Sequence, residues 1–169
     1  MSRFLAGLLL LFPGTIFAQN EWLTGLTNAG DFFYAATVNE SSNLIGEYCS
    51  STTGDCMWVL GMKSACKEGD SYPVLANSDI GTSNLEIHCS VKLDNGYYRY
   101  VFTDFDAINN IITKAIDVGF AVPLQAGQFR VLRFDLTGSN RALTSMLSTV
   151  NRAQEKLKTN RPSTRDVNM

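Results

Sequence analysis

The most regular alternation of apolar and polar residues lies in residues 85–103, which read LEIHCSVKL, DNG and YYRYVFT. On both sides of Asn95-Gly96 apolar residues occupy every second position, as in a strand with one buried face. An Asn-Gly pair between two such runs is the strongest local signal of a β-hairpin. If these two residues form the turn, Cys89 faces Phe102. The pattern therefore predicts a hairpin whose buried face includes a cysteine.

Shorter apolar runs bounded by turn-forming residues predict further strands. They cover residues 31–38, 44–49, 56–61 and 72–76 before the hairpin, and 120–124 and 128–136 after it. In the last run, Phe129 and Val131 are out of phase with the apolar residues that follow, which indicates a bulge or burial on both faces. Residues 62–84 are the least regular stretch and are expected to form a long connection. A disulfide at Cys66 would explain such a connection, and a binding loop is the alternative.

Two segments in the C-terminal half have apolar residues at helical spacing. In the first, AINNIITKAIDVG, the apolar stripe starts at Ile108. Asp104 or Asp106 is the expected N-cap of this helix, and Gly119 is the expected C-cap. The second helix is expected to begin near Ser139-Asn140. Its apolar positions are Leu143, Met146, Leu147, Val150 and Leu157.

Together these elements predict a disulfide-stabilised α+β fold. An antiparallel sheet, made of a meander and the Asn95-Gly96 hairpin, would carry two amphipathic helices in the C-terminal half, packed on one face or at one end. The expected organisation is a cleaved signal peptide at 1–18, a single domain at 19–158 and a disordered tail at 159–169. The tail has almost no apolar residues with which to form a core.

The first 18 residues have the three parts of an export signal. Arg3 supplies the positive region, residues 4–12 form the apolar core, and the small-residue cleavage site ends at Ala18. The apolar run is shorter than the roughly 20 residues that a membrane span needs. An uncleaved N-terminal anchor is the alternative interpretation. The brevity of the signal favours export to a bacterial periplasm, with no membrane span left after cleavage.

The charge of the chain argues against a nucleic-acid partner. The full chain has a net charge of −2, and loss of Arg3 with the signal would make it −3. Residues 151–169 hold five Lys/Arg and two Asp/Glu, so the rest of the mature chain carries about −6 by subtraction. Surfaces that bind nucleic acid are normally basic. The basic tail could contact an acidic partner or an anionic envelope surface, or serve only as a solubilising end.

The four cysteines, an even number in an exported chain, favour two disulfides. Three pairings are possible. The preferred one joins Cys49 to Cys56, which closes the loop CSSTTGDC, and Cys66 to Cys89, which ties the next loop to the hairpin. Each bridge would stabilise the fold by roughly 2–4 kcal/mol, mainly by restricting the unfolded chain.

The single histidine, His88, falls on the hairpin face that points away from the core. A Ser/His or Cys/His mechanism would need His88 as a base beside a nucleophile, and its neighbours Ser90 and Thr103 lie in no nucleophile-elbow motif. A zinc site that combines His88 with Cys66 and Cys89 is disfavoured, because successive strand residues point to opposite faces. We interpret His88 as a solvated strand histidine.

Paired carboxylates are the remaining catalytic option, because a glycosidase-type mechanism needs only two. Asp104 and Asp106 precede a predicted helix, where capping accounts for one of them. Asp55, Asp70 and Asp79 lie among Gly, Ser and Asn, where aspartates commonly form turns. The sequence contains no phosphate loop, EF-hand or dinucleotide motif. We expect no catalytic site, no metal and no cofactor.

The outer face of the hairpin is the best candidate surface for a partner. It combines Tyr97 and Arg99, residue types favoured at interface hot spots, with His88 and Lys92. We therefore expect a periplasmic or secreted protein that binds a partner protein in the envelope or outside the cell. One alternative is a small carboxylate-dependent hydrolase, which would show a cleft with two acids. Another is a structural subunit of an envelope or secretion assembly, which would show a long unpaired edge strand.

The segment FAVPLQAGQFRVLRFDLTGSNRALTSML, residues 120–147, resembles the end of invasion-associated locus B type periplasmic proteins. In both, an apolar strand leads through a glycine into a helix. The layout of the four cysteines upstream departs from that family's pattern, and the resemblance covers under a fifth of the chain. We carry no function and no site residue over from it.

Overall fold

A computed structural model describes residues 21–123 and 128–159 of the protein. The signal peptide predicted at 1–18 and residues 160–169 of the tail predicted at 159–169 lie outside the described residues, so the predicted domain boundaries stay predictions. The strands are β1 Leu23–Leu26, β2 Phe32–Val38, β3 Leu44–Ser50, β4 Cys56–Met62, β5 Ser71–Ser78, β6 Gly81–Lys92, β7 Tyr98–Phe102, β8 Asp117–Pro123 and β9 Phe129–Asp135. The helices are α1 Phe105–Lys114 and α2 Ser139–Thr159.

The strands form one antiparallel sheet in the order β1-β2-β3-β4-β7-β6-β5-β8-β9. Strands β1 to β4 are a meander, and the β6–β7 hairpin joins it to the strands that follow. Both helices lie in the C-terminal half. The predicted α+β fold, with its antiparallel sheet and two helices, is confirmed.

Alternation along each strand divides the sheet into two faces, and both helices pack on one of them. We call this the inner face. Helix α1 contacts β4 and β6, and α2 contacts β1 and β2. An aromatic cluster lies at the centre of the core, where Phe120 has its ring centroid 5.5 Å from that of Phe102 and 6.1 Å from that of Phe134. The largest fully buried side chains of the core are Trp58, Phe120, Ile45, Leu60, Met62, Ile87, Ile108 and Ile112.

The hairpin is present, but its predicted register is wrong. Leu93 N–H donates to Tyr97 O at 2.7 Å, so the loop has three residues, and it ends at Gly96 with φ of +80°. A bulge between Cys89 and Val91 shifts the register again, and Cys89 pairs with Tyr100 instead of Phe102. A three-residue loop with glycine in the left-handed region is a common alternative to the two-residue turn. The two shifts keep Cys89 on the buried face.

Residues 62–84, predicted to be mostly a long connection, contain most of a second hairpin instead. Strand β5 and the first part of β6 pair from Ser78↔Gly81 to Ser71↔His88. Only residues 63–70 connect β4 to β5. The many Ser, Asn and Asp residues interrupt the apolar pattern from which strands are predicted. They occur here because one face of this hairpin is solvated and carries polar side chains.

Two details of the C-terminal half differ from expectation. Phe129 and Val131 are neither bulged nor buried: β9 pairs regularly with β8, and these side chains are 69% and 53% exposed. Helix α1 ends at Lys114, where the N–H of Ala115 donates to Ile111 O, and Gly119 lies within β8. The stripe of α2 is also narrower than predicted, because Leu147 and Leu157 are exposed.

Both predicted disulfides are present, Cys49–Cys56 and Cys66–Cys89. The first joins directly opposed residues at the end of the β3–β4 pair, and the second joins the β4–β5 loop to β6. Such bonds form and persist in oxidising compartments, outside the cell or in the periplasm. Neither of the two described helices is long and apolar enough to cross a membrane.

Candidate functional site

The outer face of the sheet, opposite the helices, contains an apolar groove of about 550 Å³. Its walls come from β2, β3, β4 and the β6–β7 turn. Strand pairing brings these residues together, since Leu44 lies opposite Gly61 and Gly61 lies opposite Arg99. We call this site the outer groove. The residues that shape it are Phe32, Val38, Tyr48, Val59, Tyr97 and Arg99.

Small residues are opposed on β2 and β3, on the outer face of the sheet. A Cβ placed on Gly46 would lie 2.5 Å from the Cβ of Ala36, its partner on β2. Opposed Cβ atoms in a flat sheet are about 4.5–5.5 Å apart, so β2 and β3 approach each other unusually closely here. Val59, on the neighbouring strand, is only 5% exposed although it lies on the outer face.

Arg99 supplies the positive charge of the outer groove. Its Nε and Nη2 donate to Ser90 Oγ, at 3.3 and 3.1 Å, and this contact fixes the direction of the guanidinium. Asp31 also lines the groove. A hydrogen bond from Thr27 is the main cause that lowers the pKa of Asp31, and the charge of Arg99 lowers it further. The groove therefore offers apolar walls and one oriented cation, which suits an apolar group that carries a negative charge.

Tyr48 forms part of the apolar wall and remains neutral. Burial is the main cause that raises its pKa, to about 12. Its ring stacks on that of Tyr34, with centroids 5.8 Å apart. Tyr34 in turn covers Gly25 of β1, because a Cβ added to Gly25 would lie 2.8 Å from the hydroxyl oxygen of Tyr34. These contacts hold the rings in place beside the groove.

The structure separates the four residues predicted to form a partner surface. Tyr97 and Arg99 line the outer groove. His88 is exposed on the same face, opposite Val101, but does not line the groove. Lys92 points to the other face, because the bulge reverses the alternation before it, and its Nζ lies 5.8 Å from the centroid of the Tyr98 ring.

Sequence reasoning missed the part of the groove formed by β2, β3 and β4. Phe32, Tyr48 and Val59 lie in predicted strands. Alternation alone, however, does not indicate that the residues on the outer face of these strands form a binding site. The available signal was the pair Ala36 and Gly46, because small residues on one face of adjacent strands indicate a place where a sheet bends or a ligand approaches.

A second cleft, of about 580 Å³, opens on the inner side beside the Cys49–Cys56 disulfide. Glu47 lies at its base, 3% exposed, with Oε1 3.8 Å from Cys49 Sγ. Burial raises the pKa of Glu47 to about 7. Its partner across the strands, Trp58, is fully buried, and the indole N–H has no hydrogen-bond partner in the described part of the chain. Glu47 was not a predicted site residue, although its position in the predicted strand 44–49 gives it the same parity as Ile45 and Cys49.

Glu47, Cys49 and Cys56 lie close enough together to suggest a metal site, with ligand atoms within 4.8 Å of one another. The disulfide bond removes this possibility in the oxidised protein, because zinc binds thiolates and the two sulfurs are bonded to each other. Asp55 lines the same cleft. Glu47 lines the cleft as well and lies beside the disulfide.

Three of the other acids singled out in the sequence make structural contacts. Asp104 is the N-cap of α1, and its carboxylate accepts a hydrogen bond from Ala107 N at 2.9 Å. Asp79 accepts from Ile116 N at 2.8 Å and joins the β5–β6 turn to the start of β8. Asp70 lies in the β4–β5 loop, where its backbone oxygen accepts from Cys89 N.

No family model matches the sequence, and no curated protein matches it. The fold is similar to the crystal structure of invasion associated protein B from Bartonella henselae, with a TM-score of 0.50 and 14% sequence identity. The match covers 76% of this chain and 92% of that chain. The likeness is one of fold. The segment with a sequence resemblance, residues 120–147, extends from β8 through β9 into α2.

Proposed function

We propose that the protein is exported and acts by binding a partner protein, in the envelope or outside the cell, through the outer groove. The observation that carries this proposal is an apolar groove with one oriented arginine on a sheet face that no described helix covers. Binding sites commonly combine apolar walls with a few fixed polar groups. The two disulfides and the predicted signal peptide support an exported protein.

The chemistry of the groove suggests what the partner presents. An apolar side chain would lie against Val38, Tyr48 and Val59, and a carboxylate next to it would face Arg99. Arg99 pairs well with carboxylates because its planar guanidinium can donate two parallel hydrogen bonds. The structural neighbour is named for invasion, and a surface that binds proteins outside the cell is compatible with such a role.

The test compares groove variants with matched variants on β9, on the same face of the sheet. Arg99→Gln and Val38→Ser change the groove, and Arg133→Gln and Val131→Ser make the same chemical changes outside it. Immobilised proteins are incubated with envelope extract, and the bound proteins are quantified by mass spectrometry. We expect one partner retained by the wild type and by both β9 variants and lost by both groove variants. Retention of the same proteins by all five forms would refute the proposal.

A second candidate function, a structural subunit of an envelope or secretion assembly, is favoured by β9. This strand is an edge of the described sheet, and Phe129 and Val131 are its exposed apolar residues. Edge strands of this kind can pair with another chain. The test is light scattering of the wild type and of Val131→Lys. An assembly that forms only in the wild type would support this function, and a monomer at all concentrations would exclude it.

A further inference from the structure

The two cysteines of the Cys49–Cys56 disulfide differ in their exposure. Cys49 is fully buried, whereas Cys56 is half-buried and lines the inner cleft. Cys56 lines the cleft and Cys49 does not, so a thiolate that enters the cleft meets Cys56 first. In thiol–disulfide exchange the other sulfur then leaves as a thiolate. Here the leaving sulfur is the buried one.

A buried thiolate is costly, because a charge without water or a partner is poorly solvated. The protein has a carboxyl group where this charge would form. Glu47 lies two residues before Cys49 on the same face of β3, and its Oε1 is 3.8 Å from Cys49 Sγ. Burial alone raises the pKa of Glu47, to about 7, so this carboxyl retains a proton up to near-neutral pH.

The cleft gives an external thiol access to this pair. Asp55 and Cys56 form one side, α1 contributes Phe105 and Asn109, and α2 contributes Leu143. Among the described residues that line the cleft, Asp55 is the one charged side chain besides Glu47. Asp55 is exposed. Neither helix places a cation there, so the proton on Glu47 is the nearest source of charge neutralisation for the leaving sulfur.

We propose that Cys49, Cys56 and Glu47 form a thiol–disulfide exchange site, in which Glu47 donates a proton to the sulfur of Cys49. The thiolate of an external thiol forms a bond to Cys56 Sγ, and the Cys49–Cys56 bond breaks. Cys49 Sγ takes the bonding electron pair and then the proton of Glu47. The products are a mixed disulfide at Cys56, a Cys49 thiol and a Glu47 carboxylate. In the reverse step Glu47 removes the proton from Cys49 Sγ. The Cys49 thiolate then attacks Cys56 Sγ, so that the Cys49–Cys56 bond forms again and the external thiolate leaves.

The second disulfide provides an internal comparison. Cys66–Cys89 also joins a buried cysteine to a more exposed one, since Cys89 is 1% exposed and Cys66 is half-buried. In the described part of the chain, Glu47 is the acid whose carboxyl oxygen lies within 4.8 Å of the two sulfurs of a bridge, and this bridge is Cys49–Cys56. Access alone therefore predicts similar reactivity for both bridges, whereas a proton donor predicts a faster first bridge.

The experiment measures the opening of each bridge in the oxidised protein. Limiting dithiothreitol or reduced glutathione is added between pH 5 and 8, thiols are alkylated at set times, and peptides are mapped by mass spectrometry. In a parallel arm, a small protein with a Cys-x-x-Cys dithiol replaces these reagents and shows whether the cleft admits a protein thiol. We expect Cys49–Cys56 to open first in at least one arm, with the glutathione adduct on Cys56. An adduct on Cys49, or earlier opening of Cys66–Cys89 in every arm, would overturn the proposal.

Variants separate proton donation from a structural role. Glu47→Gln keeps the shape of the protonated side chain but cannot donate an acidic proton, so we expect opening of Cys49–Cys56 to slow on the order of a hundredfold. Glu47→Asp should restore part of the rate. Glu86→Gln, the same chemical change at an exposed site on β6 outside the cleft, is the matched control and should leave the rate of Cys49–Cys56 opening within about threefold. The rate of Cys66–Cys89 opening should stay within the same range in every variant. A folded Glu47→Gln protein with an unchanged rate would refute the role of Glu47. If this variant does not fold, the order of opening and the site of the adduct in the wild type decide the proposal.

Discussion

At the scale of single residues, Glu47 is the least expected feature of the protein. It is an acid on the inner face of β3, among residues that form the core, and it is 3% exposed. Burying a carboxylate without a cation is unfavourable, so the folded state favours the protonated form and raises the pKa of Glu47 to about 7. The position of this one side chain makes the stability of the protein depend on pH.

The direction of this dependence follows from the raised pKa. Between about pH 4.5 and pH 7 the folded protein holds a proton that the unfolded chain has lost. The contribution of Glu47 to the free energy of unfolding is therefore at its maximum below about pH 4.5. It falls by up to about 1.4 kcal/mol per pH unit as the pH rises to about 7. Urea unfolding of the wild type and Glu47→Gln should show this difference across the range. Glu86→Gln, at an exposed site on β6, is the control, and an identical pH profile for wild type and Glu47→Gln would contradict the prediction.

Gly46 is the second residue whose identity the structure explains. An added methyl group would lie 2.5 Å from Ala36 Cβ and 2.8 Å from Ala35 O, and the backbone cannot easily move away. We expect Gly46→Ala to destabilise the fold by about 1–3 kcal/mol, as overpacking typically does. Gly119→Ala is the control, because a Cβ there meets its nearest atom at an ordinary 3.5 Å. The measurement is thermal unfolding, and equal losses in the two variants would show that close approach at Gly46 is not the cause.

At the scale of elements, the sequence left the N-cap of α1 open between two aspartates, and the structure selects Asp104. Its carboxylate accepts from Ala107 N, whereas Asp106 lies in the first turn and is exposed. We expect Asp104→Ala to cost about 1 kcal/mol and Asp106→Ala only a few tenths, the usual effect of a charge near a helix N-terminus. Chemical denaturation of both variants checks the prediction. The opposite order would identify Asp106 as the functional cap.

The β6–β7 hairpin shows what local signals can and cannot specify. Asn95-Gly96 correctly marks a hairpin, since Gly96 takes a left-handed conformation that other residues adopt at a cost. Local preference does not distinguish a two-residue turn from a three-residue loop, and it cannot reveal the bulge near Ser90. The bulge reverses which face Lys92 occupies. For this reason half of the predicted partner surface, Tyr97 and Arg99, lines the groove and the rest does not.

At the scale of the whole molecule, the two disulfides constrain the unfolded chain to different extents. Cys49–Cys56 closes a separation of 7 residues, and Cys66–Cys89 a separation of 23. In the chain-entropy description, the longer loop should stabilise the fold by about 1 kcal/mol more. We expect the double variant Cys66→Ala/Cys89→Ala to be less stable than Cys49→Ala/Cys56→Ala by this amount. Equilibrium unfolding in urea measures both, and a reversed order would indicate that native-state contacts outweigh loop entropy.

The sequence by itself determined the elements that depend on neighbours along the chain. Alternating strands, the stripe at Ile108 and the even number of cysteines were sufficient for the α+β fold class, and the preferred disulfide pairing was correct. Periodicity and capping are local, so a sequence displays them directly. Strands with one solvated face, such as β5, carry many polar residues and gave a weaker signal.

Only the tertiary structure decided the two candidate sites. The outer groove exists because strand pairing brings β2, β3 and β4 beside Tyr97 and Arg99 of the β6–β7 hairpin. The inner cleft exists because two helices cross the sheet and bury Glu47 beside a disulfide. Both sites join residues from elements distant in sequence. Their chemistry arises from strand pairing and burial, and these are properties of the packed fold rather than of any segment within it.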